Sequence, residues 1–232
     1  MRLAIMQPYF FPYLGYFQLL HAVDRFVYYD DVAFIKQGWI NRNRMLVQGR
    51  PAFFTVPLED ASSFRPIRET RISPRAVWRK KMLRSFQVSY GRAPFFASTF
   101  SMLQRVLEQD HEDIASLSRA SVEAVCDHLD LQARRVPSAA AYGNEELTAA
   151  DRLLDICRRE GATTYVNVAG GRALYEADAF QQRGIALRFL SSRPFDYPQL
   201  GAPFVPWLSI LDVLMFNPLE EARGAVGRYD LS

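Results

Sequence analysis

The rhythm of apolar and polar positions predicts strands and helices in alternation. Arg2 to Met6 is a short apolar run stopped by Gln7-Pro8. Pro8 removes a backbone donor and biases Gln7 toward extended geometry, so the run reads as a strand ending in a loop. Leu14, Phe17, Leu20 and His21 then fall at helical spacing behind Pro12, which predicts an amphipathic helix over Tyr13 to Val23. A second strand, Arg25 to Tyr29, follows. Strand, proline-containing loop, helix and strand make a βαβ unit. Its first loop lies at the carboxyl end of a strand, where open α/β sheets bind ligands.

Further along, Asp30-Asp31 closes the second strand, and Lys36 to Arg44 reads as turn and polar residues around Trp39. Phe53 to Leu58 alternates weakly and predicts a third strand, with a loop through Ser62-Ser63 behind it. Ser73-Pro74 is a helix start, and the helix it opens runs to about Ser89. Trp78, Met82 and Phe86 share one face of it, while Arg75, Arg79, Lys80, Lys81 and Arg84 crowd the rest. Pro94 to about Gln109 and His111 to Leu129 predict two more helices, giving a helical layer or insertion at about 74–130. Arg134 to Pro137 returns a strand. Thr148-Ala-Ala-Asp151 has capping-box spacing, with Gly161 as the stop. Thr163 to Val168, the turn Gly170-Gly171-Arg172, Ala177 to Arg183 and Ile185 to Leu190 form a second βαβ unit. Pro194 to Pro206 is loop, and Leu208 to Phe216 is a last apolar helix before a polar tail. The expected fold is α/β, a mainly parallel, three-layer Rossmann-like sheet with additional helices, in one domain spanning 1–232.

Candidate chemistry clusters in the first 44 residues. In the Gln7 to Tyr16 loop, Gln7 offers hydrogen bonds, and Gly15 lets another backbone or a ligand approach the helix closely; the same prolines and aromatics also suit a turn packed over the sheet. Asp30 and Asp31 offer a general base, or merely a solvated strand end, and on a strand they point to opposite faces. In GWINRNR, Asn41, Arg42, Asn43 and Arg44 alternate amide and guanidinium groups, and guanidinium forks match carboxylate or phosphate geometry. Trp39 adds a flat face for stacking a sugar or a base. Lys80 on the basic helix is placed to reach an anion or simply to face water. Gly170-Gly171-Arg172 stands where backbone N–H groups cradle a phosphate, without the full spacing of a dinucleotide fingerprint or a P-loop.

Composition narrows the class. At 232 residues, 49% of them hydrophobic, the chain can bury a sizeable core. The formal charge of +3 gives no reason to expect a nucleic-acid coat or a polybasic membrane anchor. Cys126 and Cys157 lie in helical patterns and read as buried thiols of a cytoplasmic protein. Gln7, Pro8 and Pro12 interrupt the first apolar run before a signal-peptide core forms, and no stretch approaches the ~20 apolar residues of a spanning helix. The histidines, His21, His111 and His128, are scattered, so neither a metal site nor a Ser-His-Asp arrangement is expected.

The series QPYFFPYLGYF, YYDDV and GWINRNR resembles the WbqC-like family of bacteria. The resemblance continues through WRKKMLRSFQVSYGRAPFF, DRLLDICRREGATTY and LSILDVLMFN, nearly the whole chain. It implies a place among O-antigen and other sugar-modification functions, and transfer of an aminoacyl (glycyl) or other acyl group to the amine of an amino sugar, expected to be nucleotide-linked. In that expectation Arg42 and Arg44 hold phosphate or carboxylate, Gln7 and Asn41 orient the acceptor, and Asp30 or Asp31 takes the amine proton. Lacking an evident nucleophile, the expected route is direct attack on an activated donor: free amino acid with ATP, an acyl thioester or an aminoacyl-tRNA. Two alternatives stay open. One is a non-catalytic nucleotide-sugar-binding or scaffold protein. The other is nucleotidyl transfer, because P-x-L-G-Y, Pro12 to Tyr16, sits where adenylyl-transferring enzymes carry H-x-G-H. The ligand is expected between the Gln7 to Tyr16 loop and the Tyr165 to Arg172 segment, with Asp30 and Asn41 at the rim.

Overall fold

Alternation along Arg2–Met6 (β1) sends Leu3 and Ile5 into one core and Ala4 into another. That is the period of two expected of a strand buried on both faces. The computed structural model describes residues 1–74, 77–201 and 203–232; Arg75, expected on the basic helix, lies outside them. After β1 come α1 (Leu14–Ala22) and β2 (Arg25–Tyr28), as the spacing predicts. An antiparallel hairpin follows, β3 (Arg42–Val47) and β4 (Arg50–Thr55). Helices α2 (Val77–Tyr90), α3 (Phe96–Glu108) and α4 (Ile114–Leu129) succeed one another, then β5 (Arg134–Val136). The chain continues through α5 (Ala149–Arg159), β6 (Thr164–Val168), α6 (Ala177–Gln181), β7 (Ala186–Ser192), α7 (Ile210–Phe216), α8 (Leu219–Val226) and β8 (Tyr229–Leu231).

Six strands form one sheet in the order β5-β2-β1-β6-β7-β8, parallel except for β8, which runs against β7. This is an α/β, Rossmann-like fold. Helix α1 packs through Phe17 and Leu20 into the core shared with α4, α7 and α8. Helices α5 and α6 bury Leu153, Ile156 and Phe180 in the other core, against Leu3, Ile5 and Tyr165. The connection leaving β1 therefore runs over one face and the connection leaving β6 over the opposite one. Between two such neighbouring parallel strands the carboxyl ends leave a crevice, and here it is flanked by Gln7 and Asn167.

Several expectations change. Arg42 to Arg44 is strand rather than loop, because Arg42 and Arg44 share the outer side of the hairpin while Asn43 turns inward. The expected strand at Phe53 to Leu58 begins earlier and ends at Thr55. Gly170-Gly171-Arg172 lies in a 3-10 helix, Ala169–Leu174, rather than a simple turn. Thr148 precedes α5 as expected but makes no side-chain cap, and Ala149 takes φ +47 in the first turn. The polar tail holds α8 and β8; each is too short for its period to stand out. Both cysteines are free and buried, and burial pushes each thiol up to about 12. Among the described residues no helix is long and apolar enough to cross a membrane.

The loop from β1 to α1 is held by distant side chains that bond its backbone. Phe11 takes φ +40, a region that costs a bulky residue about 1–3 kcal/mol, and its ring is fully buried. Its N–H donates to Ser121 Oγ at 2.9 Å. Its carbonyl accepts from Ser209 Oγ at 2.7 Å and from Asn43 Nδ2 at 3.0 Å. Three elements thus hold one residue: α4, β3 and the residue before α7. Ser209→Ala and Asn43→Ala are each expected to lower unfolding free energy by about 1–3 kcal/mol, since each leaves a buried polar group short of a partner. Urea denaturation checks this, and a change under half of that range in both variants would mean that the clasp does not hold the loop.

Candidate functional site

Where the peptide chain leaves the Phe11 clasp, α1 begins with its first turn at the carboxyl edge of the sheet. The N-cap, Tyr13, provides no side-chain cap, and no acidic residue sits in the first turn. Such an end presents backbone N–H groups and the positive pole of the helix. It opens into a cleft of about 240 Å³ lined by Tyr13, Leu14 and Gly15, by Ser192 to Tyr197 at the end of β7, and by Phe204 to Leu208. Gly15 is required there: a Cβ would lie 2.4 Å from the Tyr13 ring and 3.1 Å from Ser192 Oγ. Arg193 reaches the cleft while its Nε donates to Asp230 Oδ2 at 3.0 Å, an exposed pair that raises the guanidinium and lowers the carboxylate.

The wall opposite α1 hangs on a buried carboxylate. Asp212, on α7, is 1% exposed and accepts from Tyr90 Oη at 2.8 Å, Tyr197 Oη at 2.7 Å and Gln199 Nε2 at 2.8 Å. Tyr90 Oη in turn accepts from the N–H of Leu46 at 2.7 Å. The bonds couple the hairpin, α2, α7 and the 197–199 segment. Burial raises the Asp212 carboxyl above its ordinary value, although the three donors act the other way.

Along the same edge, toward β2, lies a second polar group. Asp31 Oδ2 accepts from Arg152 Nη2 at 2.5 Å; Asp31 Oδ1 is buried with no partner among the described residues. Arg152 Nε donates to Asn144 Oδ1 at 3.1 Å, and the guanidinium lies 5.0 Å over the Tyr29 ring. Asp30 differs from its neighbour. Its Oδ1 accepts from Ser138 Oγ at 2.7 Å and the N–H of Ala139 at 3.2 Å, while Oδ2 has no protein partner among the described residues and is not sealed off. Burial raises the Asp30 carboxyl, opposed by the Ser138 hydrogen bond.

Of the residues singled out in the sequence, Gln7, Gly15, Tyr16, Asp30, Asp31, Gly170 and Gly171 all lie at this carboxyl edge. Gln7 is half-buried, and its carbonyl accepts from Tyr16 Oη at 2.9 Å. Gly170 is exposed, whereas Gly171 packs on Asn167, whose Nδ2 would be 2.9 Å from an added Cβ. Neither glycine takes a left-handed φ, so the alternating backbone of a phosphate-cradling nest is not formed there. Arg172 turns away, donating to Ser232 Oγ at 2.8 Å over the Phe189 ring. Lys80 is exposed on α2, away from the cleft lining. Asn41 donates to the carbonyl of Val56 and Asn43 to that of Phe11. Arg42 donates to the carbonyls of Gly38 and Gln37 and borders a separate cleft with Lys36 and Ala61. Arg44 Nη2 reaches the carbonyl of Trp207 at 2.8 Å, which brings it to the wall of the α1 cleft.

Residues 7–224 match the WbqC-like protein family. The chain belongs to that family. A relative, "Uncharacterized protein Rv1507c" of Mycobacterium tuberculosis (strain ATCC 25618 / H37Rv), is 33% identical over 227 residues, covering 95% of both chains. No solved structure matches.

In this WbqC-like chain, sequence reading missed Tyr13, Ser192, Arg193, Tyr197, Trp207, Arg152 and Asp212. The one signal was Asp212 itself, a lone acid inside the apolar run LSILDVLMFN. Among the described residues no group of three or more His, Cys, Asp or Glu side chains is gathered to hold a metal ion.

Because folding raises the Asp212 carboxyl, the unfolded chain loses that proton first as pH climbs above the ordinary 3.8. Stability contributed by this group therefore falls from pH 3.8 up to its raised folded value and is level above it. Asp212→Asn should remove that descent, seen as a flatter acid-side stability curve than that of the native protein. Parallel curves for the two proteins across this window would show that Asp212 is not shifted.

Proposed function

We propose that this WbqC-like protein is a transferase that moves an aminoacyl group to the amine of a nucleotide-linked amino sugar. The observation that supports it is the uncapped α1 terminus opening into an aromatic cleft beside Arg193, at the sheet edge where this architecture holds nucleotides. The N–H groups of the first turn and Arg193 suit a diphosphate. Tyr13, Phe195 and Trp207 suit a base or a sugar face. The acyl-transfer chemistry follows from what the family resemblance implies; glycyl and other acyl groups, in bacterial polysaccharide or natural-product biosynthesis, come within it.

In the reaction, the acceptor nitrogen attacks the donor carbonyl. A C–N bond forms, the bond from the carbonyl carbon to the leaving group breaks, and the ammonium proton passes to a base. Asp30 suits that base better than Asp31: Oδ2 is open, and its raised pKa moves it toward the working range of a general base. Asp31, sealed against Arg152, fits a role in holding the edge.

Two measurements test the reading. Calorimetry with a uridine-diphosphate amino sugar should show binding that Gly15→Ala weakens by about tenfold or more, because the added methyl displaces the Tyr13 ring into the cleft. No binding to the native protein would sink the proposal. With a transferable donor supplied, Asp30→Asn should lower turnover by about 10²–10⁴-fold at saturating substrate. Near-native turnover would leave Asp30 a structural cap of Ser138 and Ala139.

A further inference from the structure

Outside the cleft, exposed rings and guanidiniums run in a line from the hairpin to the cleft mouth. Phe53 is 53% exposed, and Trp39 is 40% exposed with its ring centroid 6.1 Å away. Arg42 lies 4.4 Å over the Phe53 ring and Arg44 5.8 Å from the Trp39 ring. Arg44 then joins Trp207 through the 2.8 Å bond to its carbonyl, and the Trp207 ring stands 6.0 Å from Tyr13, inside the cleft.

Three features set this line apart from ordinary surface. Neither arginine pairs with a carboxylate among the described residues, whereas Arg135, Arg152, Arg158, Arg159 and Arg193 do. Arg44 Nε is buried without an acceptor among the described residues. Trp207 is 62% exposed and held at φ +61, so a strained backbone keeps a large ring in water. Strain and exposure both count against stability, and such combinations gather at ligand-binding positions.

We propose that the line binds a short single-stranded segment of RNA and delivers its 3′ end to the cleft, making an aminoacyl-tRNA the donor. The inference rests on the proposed transfer and names its donor. Rings that accept stacked bases, interleaved with guanidiniums that meet phosphates, are the chemistry of single-strand recognition. Carbonyls of Gly38, Gln37 and Trp207 hold the two guanidiniums in place before any ligand arrives. A neutral glycan would use the rings but leave both cations without an anion. In the step itself the amino-sugar nitrogen attacks the ester carbonyl at the terminal ribose, the amide C–N bond forms and the ester C–O bond breaks. The ribose oxygen leaves with a proton, so no further reagent is needed.

Fluorescence anisotropy with a labelled single-stranded RNA ending in CCA tests this on the full chain. Saturable binding is expected, with log K falling against log salt at a slope of about −1.4 if Arg42 and Arg44 each meet a phosphate. Trp39→Ala and Phe53→Ala should each weaken binding by about tenfold with unchanged melting temperature, since both rings are partly in solvent. Arg42→Ala should make the slope shallower by about 0.7. Absence of RNA binding, equal affinity for a duplex, or affinity indifferent to both rings would overturn the inference. So would a neutral oligosaccharide binding at these rings in place of RNA, or sedimentation showing the rings covered by a second copy. A native protein that binds the nucleotide sugar but not RNA loses this donor and keeps its proposed acceptor; RNA binding without nucleotide-sugar binding separates the two the other way.

Discussion

The peptide at Phe11 is the constraint on which the candidate site depends. A buried phenylalanine with positive φ is unfavourable locally, so the loop holds only because α4, the hairpin and the start of α7 all bond to that one residue. Its neighbour Pro12 accepts from the N–H of Ile210 at 2.8 Å, and Phe10 donates to the carbonyl of Ile40 at 3.1 Å. The direction in which α1 begins is thereby set by contacts from elsewhere in the chain, not by a cap of its own. Leaving that terminus uncapped has a local cost, and it keeps N–H groups available to a ligand.

Asp212 repeats this logic on the other wall. A carboxylate inside an apolar helix is unfavourable unless its oxygens are satisfied, and three donors from two different segments satisfy it. Asp31 and Arg152 form a third such case at the β2 end. Both groups lie toward the carboxyl edge, and a further part-buried pair, Arg25 with Glu160, lies at the other end, where β2 begins. Rigid walls built on paired charges favour a site whose groups are in place before the ligand comes.

The strands β1, β2, β6 and β7 and the larger helices were legible because each buries a continuous apolar set at its own period. Strand β3 was not. Its first half, Arg42-Asn43-Arg44, is polar throughout, and the alternation there separates half-buried guanidiniums from a buried amide rather than polar from apolar. Asn43 looks like a ligand-binding amide and serves instead to bond the Phe11 carbonyl. Gln7, Gly15 and the two aspartates could be placed from the βαβ pattern, since topology puts strand ends on one edge. Arg193, Tyr197 and Asp212 could not, for their meeting with α1 depends on how the irregular segment after β7 folds back, and no local period encodes that.

The cleft has walls from Tyr13 to Gly15 and from Ser192 to Leu208, and the Phe11 clasp closes only when Ser209 arrives. During synthesis the first wall therefore leaves the ribosome long before the second. A nascent chain can pair β1 with β2 early, yet the Phe11 clasp lacks its last bond until nearly two hundred further residues have emerged, as the separation of 198 positions between Ser209 and Phe11 requires. Ligand-binding competence is thus a late event in the life of the chain, and a stalled or truncated product exposes aromatic surface rather than a partial site.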